Sequence, residues 1–230
     1  MRSLAKERLK AFRLTIPVMC GYLFLGVAFG ATLAQAGYGA LWALAISGLV
    51  YAGSLQFVMV PFLVTGASLV TVFLTALMVN ARHIFYGVSF IDRFRRMGKL
   101  RPYMVFSLTD ETYSVFCSFQ EEEGDGVMLR VAAYDHFYWI AGSVAGALLA
   151  QGLPFDLTGI DFAMTALFIV ICLERVMNKA DRLPAAIGGG CALACLLLLG
   201  PERFLAPALL LCAAILLALP RGKTAEKEAA

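Results

Sequence analysis

The chain has 230 residues, 60% of them hydrophobic and only 15% charged, with a formal net charge of +3 and a mean hydropathy of +0.79. This composition excludes an ordinary soluble domain and a disordered chain, and the charge is too small to mark a nucleic-acid partner. What remains is an all-α polytopic domain over 1–230 in a lipid bilayer. At about 20 apolar residues per span the length allows about seven or eight membrane segments, so any chemistry must occur within the bundle.

The first 13 residues carry Arg2, Lys6, Arg8, Lys10 and Arg13 and read as a basic cytoplasmic N-terminus. The apolar stretch that follows ends in Ala34-Gln35-Ala36, which imitates a signal-peptidase site. It is longer than a signal core, however, and Pro17, Gly21, Gly26 and Gly30 suit a permanent first span, at about 14–36, packed closely by other helices. Further spans are expected at about 67–90, 131–152, 160–177, 183–199 and 203–220.

Two stretches are ambiguous. Residues 40–66 are apolar but interrupted by Tyr51-Ala52-Gly53-Ser54-Leu55-Gln56-Phe57, then by Pro61 and Gly66. Residues 103–118 are short and carry Asp110 and Glu111. Basic residues cluster again at Arg93 to Arg101, at Arg175, Lys179 and Arg182, and in the tail 221–230. The positive-inside rule makes all of these cytoplasmic, with both termini inside. A re-entrant pair of half-helices at 40–66, broken near Gly53, restores the parity and makes 103–118 a second segment that enters and leaves on the cytoplasmic side. The alternative is a kinked full span, with 103–118 as a short crossing and a basic loop outside.

Three polar groups stand out. At the break, Gly53 permits irregular backbone while Ser54 and Gln56 supply hydrogen-bonding groups, the means by which transporters build zwitterion sites; a Gly-kinked span with a satisfied Gln56 is the plainer reading. In Asn80-Ala81-Arg82-His83-Ile84-Phe85-Tyr86-Gly87, Asn80 with His83, and Arg82 with Tyr86, form adjacent helix faces. Arg82 can hold a carboxylate, neutralise an acid or snorkel to the interface, and His83 can pass a proton. Thr109-Asp110-Glu111-Thr112 comes third. If that segment is one helix, Ser107, Glu111, Ser114 and Ser118 make a polar stripe and the acids can carry protons or pair with Arg82; otherwise it is a surface helix capped by Ser107.

Other signals are weaker. Asp135-His136 stands beside Tyr134, Tyr138 and Trp139 and reads as interfacial. Gly142-x-x-x-Gly146-x-x-x-Ala150 reads as a helix-contact face. Ala52-Gly53-Ser54 has an echo in Ala141-Gly142-Ser143. The six cysteines lie mostly in apolar segments without a Cys-x-x-Cys pair and read as packing residues, so no metal or cofactor is expected.

Over its first half the chain resembles the AzlC family, the large subunits of bacterial branched-chain amino acid exporters. The resemblance rests on Ile16-Pro17 with Gly21-Tyr22 and Gly26-Val27-Ala28-Phe29-Gly30, then Tyr51 to Phe57, Asn80 to His83 with Tyr86-Gly87, and Leu108-Thr109-Asp110-Glu111. It implies export of valine, leucine, isoleucine and methionine from the cytoplasmic (inner) membrane, with a small membrane partner of the AzlD type. On that footing Gly53, Ser54, Gln56, Asn80, Arg82 and Tyr86 are the expected substrate-binding residues, with Phe57 and Phe85 receiving the apolar side chain. His83, Asp110 and Glu111 are the expected proton-coupling residues. No Gly-x-x-x-x-Gly-Lys-Ser/Thr loop for ATP is present, so proton exchange is the expected energy source. A non-transporting assembly subunit is the alternative. An intramembrane enzyme is disfavoured because neither His-Glu-x-x-His nor Gly-x-Ser-x-Gly occurs.

Overall fold

A computed structural model describes residues 2–119, 124–152, 169, 172–173, 176–177, 182–200 and 204–218, all of whose regular elements are helices. The chain forms two compact units, residues 1–164 and 165–230. In the first, α1 (Arg2–Gln35) and α8 (Asp125–Gly152) are the long members. Between them come α2 (Ala40–Leu49), α3 (Gly53–Thr65), α4 (Leu69–Ser89), α5 (Ile91–Arg96), a single 3-10 turn, α6 (Arg101–Phe106) and α7 (Asp110–Cys117). The 34 residues of α1 extend about 51 Å, well beyond a hydrocarbon core of about 30 Å. The basic segment 2–13 is therefore the first three turns of this helix rather than a separate tail.

α1 and α8 run parallel. Glu7 meets Arg130, Thr15 meets Tyr138, and Gly30 meets Ser143 and Ala147. Small residues make the close approach possible. A Cβ at Gly30 would run into the Ser143 carbonyl, and one at Gly146 into the Val27 carbonyl. Gly142 would come within 2.9 Å of the Leu23 carbonyl oxygen. The expected contact face of α8 is thus in place, paired with Gly26 and Gly30 of α1, whereas a Cβ at Gly21 would touch nothing.

Residues 40–66 break at Val50 to Ala52, with Tyr51 at φ 44°, left-handed backbone that a bulky residue seldom adopts. The two pieces open toward the same end of the unit. Tyr38 O–H donates to the Leu63 carbonyl at 3.3 Å, and a Cβ at Gly39 would come within 2.8 Å of Gln151 near the end of α8. The break itself lies deeper, with Tyr51 on His136 and Gly53 against Trp139. Ala52–Ser54 therefore leads into a helix start, while its echo Ala141–Ser143 lies inside α8; the two do not share a local structure.

α4 starts at Ser68, whose hydroxyl accepts from Thr71 N–H at 3.2 Å. The stretch 103–118 is not one helix. α6 ends at Phe106, Ser107 is buried in the following turn, and α7 starts afresh at Asp110. The cap of α7 is Thr109, which accepts from Thr112 N–H at 3.3 Å, so the expected cap at Ser107 and the continuous stripe are both corrected. Helices of six and eight residues reach only about 9 and 12 Å, too short for a crossing. Phe94 shares one apolar core with Ala11, Met104, Phe116 and Met128, and Arg93 Nε bonds Asp125 at 3.1 Å. The basic segment 93–101 thus sits at the same end of the unit as the early turns of α1 and α8.

Large apolar side chains cover the outside: Leu41, Leu49 and Leu69 are 81%, 79% and 86% exposed. Water would make such a surface sticky, whereas hydrocarbon suits it. In the second unit α9 (Arg182–Leu199) packs on α10 (Leu205–Ala218), with Cys191 and Cys195 buried as packing residues. The expected span at 160–177 and the basic tail 221–230 lie largely or wholly outside the described residues.

Candidate functional site

Gln56 holds the break together. Its Oε1 accepts from Ala52 N–H at 3.1 Å and from Trp139 Nε1–H at 2.9 Å, while its Nε2 donates to Ser47 Oγ at 3.2 Å. The side chain is fully buried, so these bonds replace water for α2, α3 and α8 at once. Trp139 then stacks toward Phe29 and meets Tyr22 edge-on at 5.3 Å. Tyr22 brings α1 into the same cluster.

From Tyr22 a row of oxygens crosses the unit. Its hydroxyl donates to Glu111 Oε2 at 2.7 Å and lies 2.7 Å from Thr109 Oγ1. Thr109 Oγ1 is 3.1 Å from Thr112 Oγ1, and Thr112 Oγ1 donates to Asp135 Oδ2 at 2.9 Å. Thr112 and Asp135 are fully buried and Tyr22 and Thr109 nearly so, while Glu111 is exposed. Two side-chain atoms in this region are buried without a hydrogen-bond partner: Asp135 Oδ1 and the Tyr51 hydroxyl. The orphans are complementary, an acceptor and a donor.

At the N-terminus of α7 a second cluster forms. His83 Nε2 lies 3.8 Å from Asp110 Oδ1, and its Nδ1 is 3.2 Å from the Asn80 carbonyl. A carbonyl only accepts, so Nδ1 carries hydrogen and a protonated ring would face Asp110 as an ion pair. Tyr86 packs edge-on against His83 and stacks on Tyr113 at 4.4 Å. The second half of α4 is thereby docked on α7.

Comparison with known proteins decides the family. The model described as AzlC protein matches residues 17–153, a stretch that contains both clusters. The chain belongs to the AzlC family. It is 37% identical over 203 residues to the Branched-chain amino acid transport protein AzlC of Bacillus subtilis, covering 87% of this chain and 80% of that one. It is 38% identical over 214 residues to an uncharacterized membrane protein of Helicobacter pylori strain J99, covering 92% and 94%. The Inner membrane protein YgaZ of Escherichia coli is 29% identical over 189 residues, with 77% of each chain covered. No solved structure matches.

In this AzlC chain the expected site residues fall into separate groups. Gly53 and Gln56 belong to the break, where Gln56 is committed to Ser47, Ala52 and Trp139; Ser54 is half-buried in the first turn of α3. Tyr86, Asp110 and the Asn80 carbonyl come together on His83, and Glu111 is tied to Tyr22. Arg82 stands on α4, its side chain outside the described residues, as is that of Phe85. Phe57 is 1% exposed and meets Phe29 edge-on at 5.7 Å, so it is committed to helix packing. Asp135 corrects the interfacial reading: the carboxylate is inside the protein, bonded to Thr112. Its neighbouring aromatics, which looked like an interface belt, are core residues in Tyr138 and Trp139. The signal available was the acid itself, since a carboxylate in an apolar span is a site by default.

Proposed function

We propose that this chain is the large subunit of a proton-coupled exporter of branched-chain amino acids in the bacterial cytoplasmic membrane, working with a small AzlD-type subunit. The observation that carries the substrate is the 37% identity to the Bacillus subtilis protein named for branched-chain amino acid transport, across 87% of this chain. The helix break supports transport as the activity. Two half-helices of 10 and 13 residues reach about 15 and 20 Å, and irregular backbone at membrane depth is tolerated where it faces protein or a cavity.

The topology that fits is the re-entrant one. α2 and α3 open to the same side, and segment 93–101 lies beside the early turns of α1 and α8. That arrangement supports a cytoplasmic N-terminus and basic loop under the positive-inside rule, and the basic tail assigns the C-terminus to the same side by that rule alone. In this reading the amino acid headgroup binds between the break and the Asn80 to Tyr86 stretch. Gly53 and Ser54 offer backbone at the α3 N-terminus, whose N-cap residue Ala52 has no capping side chain of its own, and Gln56 holds it in shape through the Ala52 N–H. Arg82 takes the carboxylate, with Asn80 and Tyr86 completing the wall. Asp110 and Glu111 attract the ammonium or carry the coupling proton with His83.

Counterflow of labelled leucine into proteoliposomes tests the function. Exchange that requires this chain together with the small subunit is expected. A purified complex that neither binds nor moves leucine, isoleucine or valine would sink the proposal. Unchanged leucine efflux in Arg82→Gln would remove Arg82 from the site.

A further inference from the structure

We propose that Glu111 and Asp135 are the two ends of a proton relay through Tyr22, Thr109 and Thr112, and that the pair holds one shared proton. The role in transport rests on the proton-coupled reading above; the shared proton does not.

The argument is a count of hydrogens. Four oxygen–oxygen links join the carboxylates: 2.7 Å from Glu111 to Tyr22, 2.7 Å on to Thr109, 3.1 Å to Thr112 and 2.9 Å to Asp135. The three hydroxyls between them bring one hydrogen each. With both acids ionised, Tyr22 donates to Glu111 and Thr112 to Asp135, and Thr109 has a single hydrogen for two neighbours. One link would then be two facing lone pairs. Tyr22 and Thr109 are nearly inaccessible and Thr112 and Asp135 wholly so, which leaves little access for water to fill the gap. A fourth hydrogen, carried by one carboxyl, satisfies every link.

Two arrangements result, and they differ only in polarity. When Asp135 is protonated it donates to Thr112, Thr112 to Thr109, Thr109 to Tyr22, and Tyr22 to ionised Glu111. Transfer breaks four O–H bonds and makes four. The Asp135 proton passes to Thr112, that of Thr112 to Thr109, that of Thr109 to Tyr22, and that of Tyr22 to Glu111. Asp135 ends ionised, Glu111 neutral, and each hydroxyl keeps one hydrogen. Thr112 N–H donates to Thr109 Oγ1 in both states, which pins the middle of the chain.

The unpartnered Asp135 Oδ1 supplies the independent observation. As the carbonyl oxygen of a neutral acid it tolerates burial; as half of a carboxylate it needs a donor. A spare donor is the Tyr51 hydroxyl, buried on the strained break without a well-formed hydrogen bond, with Tyr22 and Thr112 beside it and Asp135 and Glu111 among the charges acting on it. Among the described residues, the other ionisable groups around Asp135 are Tyr103 on α6, Tyr138 and His136 on α8, and Glu111 on α7. No arginine or lysine bonds to Asp135 among the described residues. The relay therefore joins an exposed acid to a buried one that lies beside the helix break. Movement of the break that brings Tyr51 onto Oδ1 would favour the ionised Asp135 and send the proton to Glu111.

Infrared difference spectroscopy of the purified full chain with its small subunit tests this through the carboxylic C=O stretch. The wild type is expected to show a protonated-carboxyl band at neutral pH. Glu111→Gln and Asp135→Asn should each abolish it, because an amide N–H supplies the fourth hydrogen from its own end and lets the other acid ionise. The surface variant Asp92→Asn should keep it. Thr112→Val cuts the chain, so Glu111→Gln should no longer remove the band in that background, and Thr112→Ser should restore the linkage. If Asp135→Asn does not fold, Glu111→Gln with the two Thr112 variants carries the test. A wild type without the band, or a band that survives Glu111→Gln with Thr112 intact, overturns the relay.

Transport supplies the second readout. Leucine accumulation driven by a pH gradient should fall in Thr112→Val to the level of protein-free vesicles and recover in Thr112→Ser, while counterflow persists. Full gradient-driven accumulation in Thr112→Val overturns the relay's role. A wild type with no counterflow but the expected band pattern overturns the exporter and leaves the relay standing.

Discussion

The same helix pair has two different halves. Toward its C-terminal end, α8 lays Gly142, Ser143, Gly146 and Ala147 on Gly26 and Gly30 of α1, a dry seam of small residues. A turn or two earlier the pair carries Tyr22, Asp135 and Trp139, a cluster of buried polar and aromatic groups. The seam has no chemistry, and the cluster has no simple way to set its own geometry. Hydrogen bonds of 2.7 to 3.1 Å across three helices need backbones that hold still, and glycine contacts with no spare volume provide that. The seam positions what the cluster uses.

The largest effect should come from forcing the seam apart. Gly30→Leu or Gly146→Leu drives a side chain into the backbone of the facing helix, which cannot rotate aside as a side chain would. We expect a loss of about 3 kcal/mol or more, read as a collapse of the monodisperse peak in fluorescence-detected chromatography after heating. Gly21→Leu, with open space around its Cβ, should leave the peak within the scatter of the wild type. Equal loss in both would mean that the seam is not special.

Gln56→Leu attacks the cluster without touching the seam. It strands Trp139 Nε1–H, Ala52 N–H and Ser47 Oγ, and each buried orphan costs about 1 to 3 kcal/mol before relaxation. After relaxation an overall loss of about 2 kcal/mol is expected, seen as a lower melting midpoint, with the indole fluorescence of Trp139 shifted as its partner goes. An unchanged midpoint would mean that the break is held by something other than this amide.

How much of this was legible in the sequence follows the same division. Gly26, Gly30, Gly142 and Gly146 announce close packing because small residues in an apolar helix have few other uses, and the break at 50–52 is readable from Gly53 and Gln56 in an apolar run. The cluster was harder to read. Glu111 reads from the sequence as an acid that can carry a proton or pair with Arg82, whereas one partner the fold gives it, Tyr22, lies 89 positions away in an apolar span and shows no sign of that contact. Thr109 and Thr112 are short hydroxyls whose value is entirely in the row they complete. Asp135 looks interfacial in the sequence because Tyr134, Tyr138 and Trp139 imitate a headgroup belt, and only the fold reveals that two of them face inward. The 103–118 stretch failed for a local reason: a fresh cap at Thr109 outcompetes one continuous helix.

The smallest effect belongs to a third zone of the same pair, before both halves begin. Arg130 Nη1 lies 2.8 Å from Glu7 Oε2 and also donates to the Gly126 carbonyl at 2.6 Å. This contact looks stronger than it should prove to be. The two side chains are 22% and 34% exposed, so water and salt compete for both, and Arg130 keeps its carbonyl partner when the glutamate is neutralised. Glu7→Gln should therefore lower the stability by about 0.2 to 1 kcal/mol. The difference should vanish at about 1 M salt, where the screening length is about 3 Å. Gly30→Leu, whose cost is steric, should lose the same stability at either ionic strength. If Glu7→Gln proved as damaging as the seam variants, the basic first turns of α1 would be part of what holds α8 in place, and the division between a positioning seam and a working cluster would have to include them.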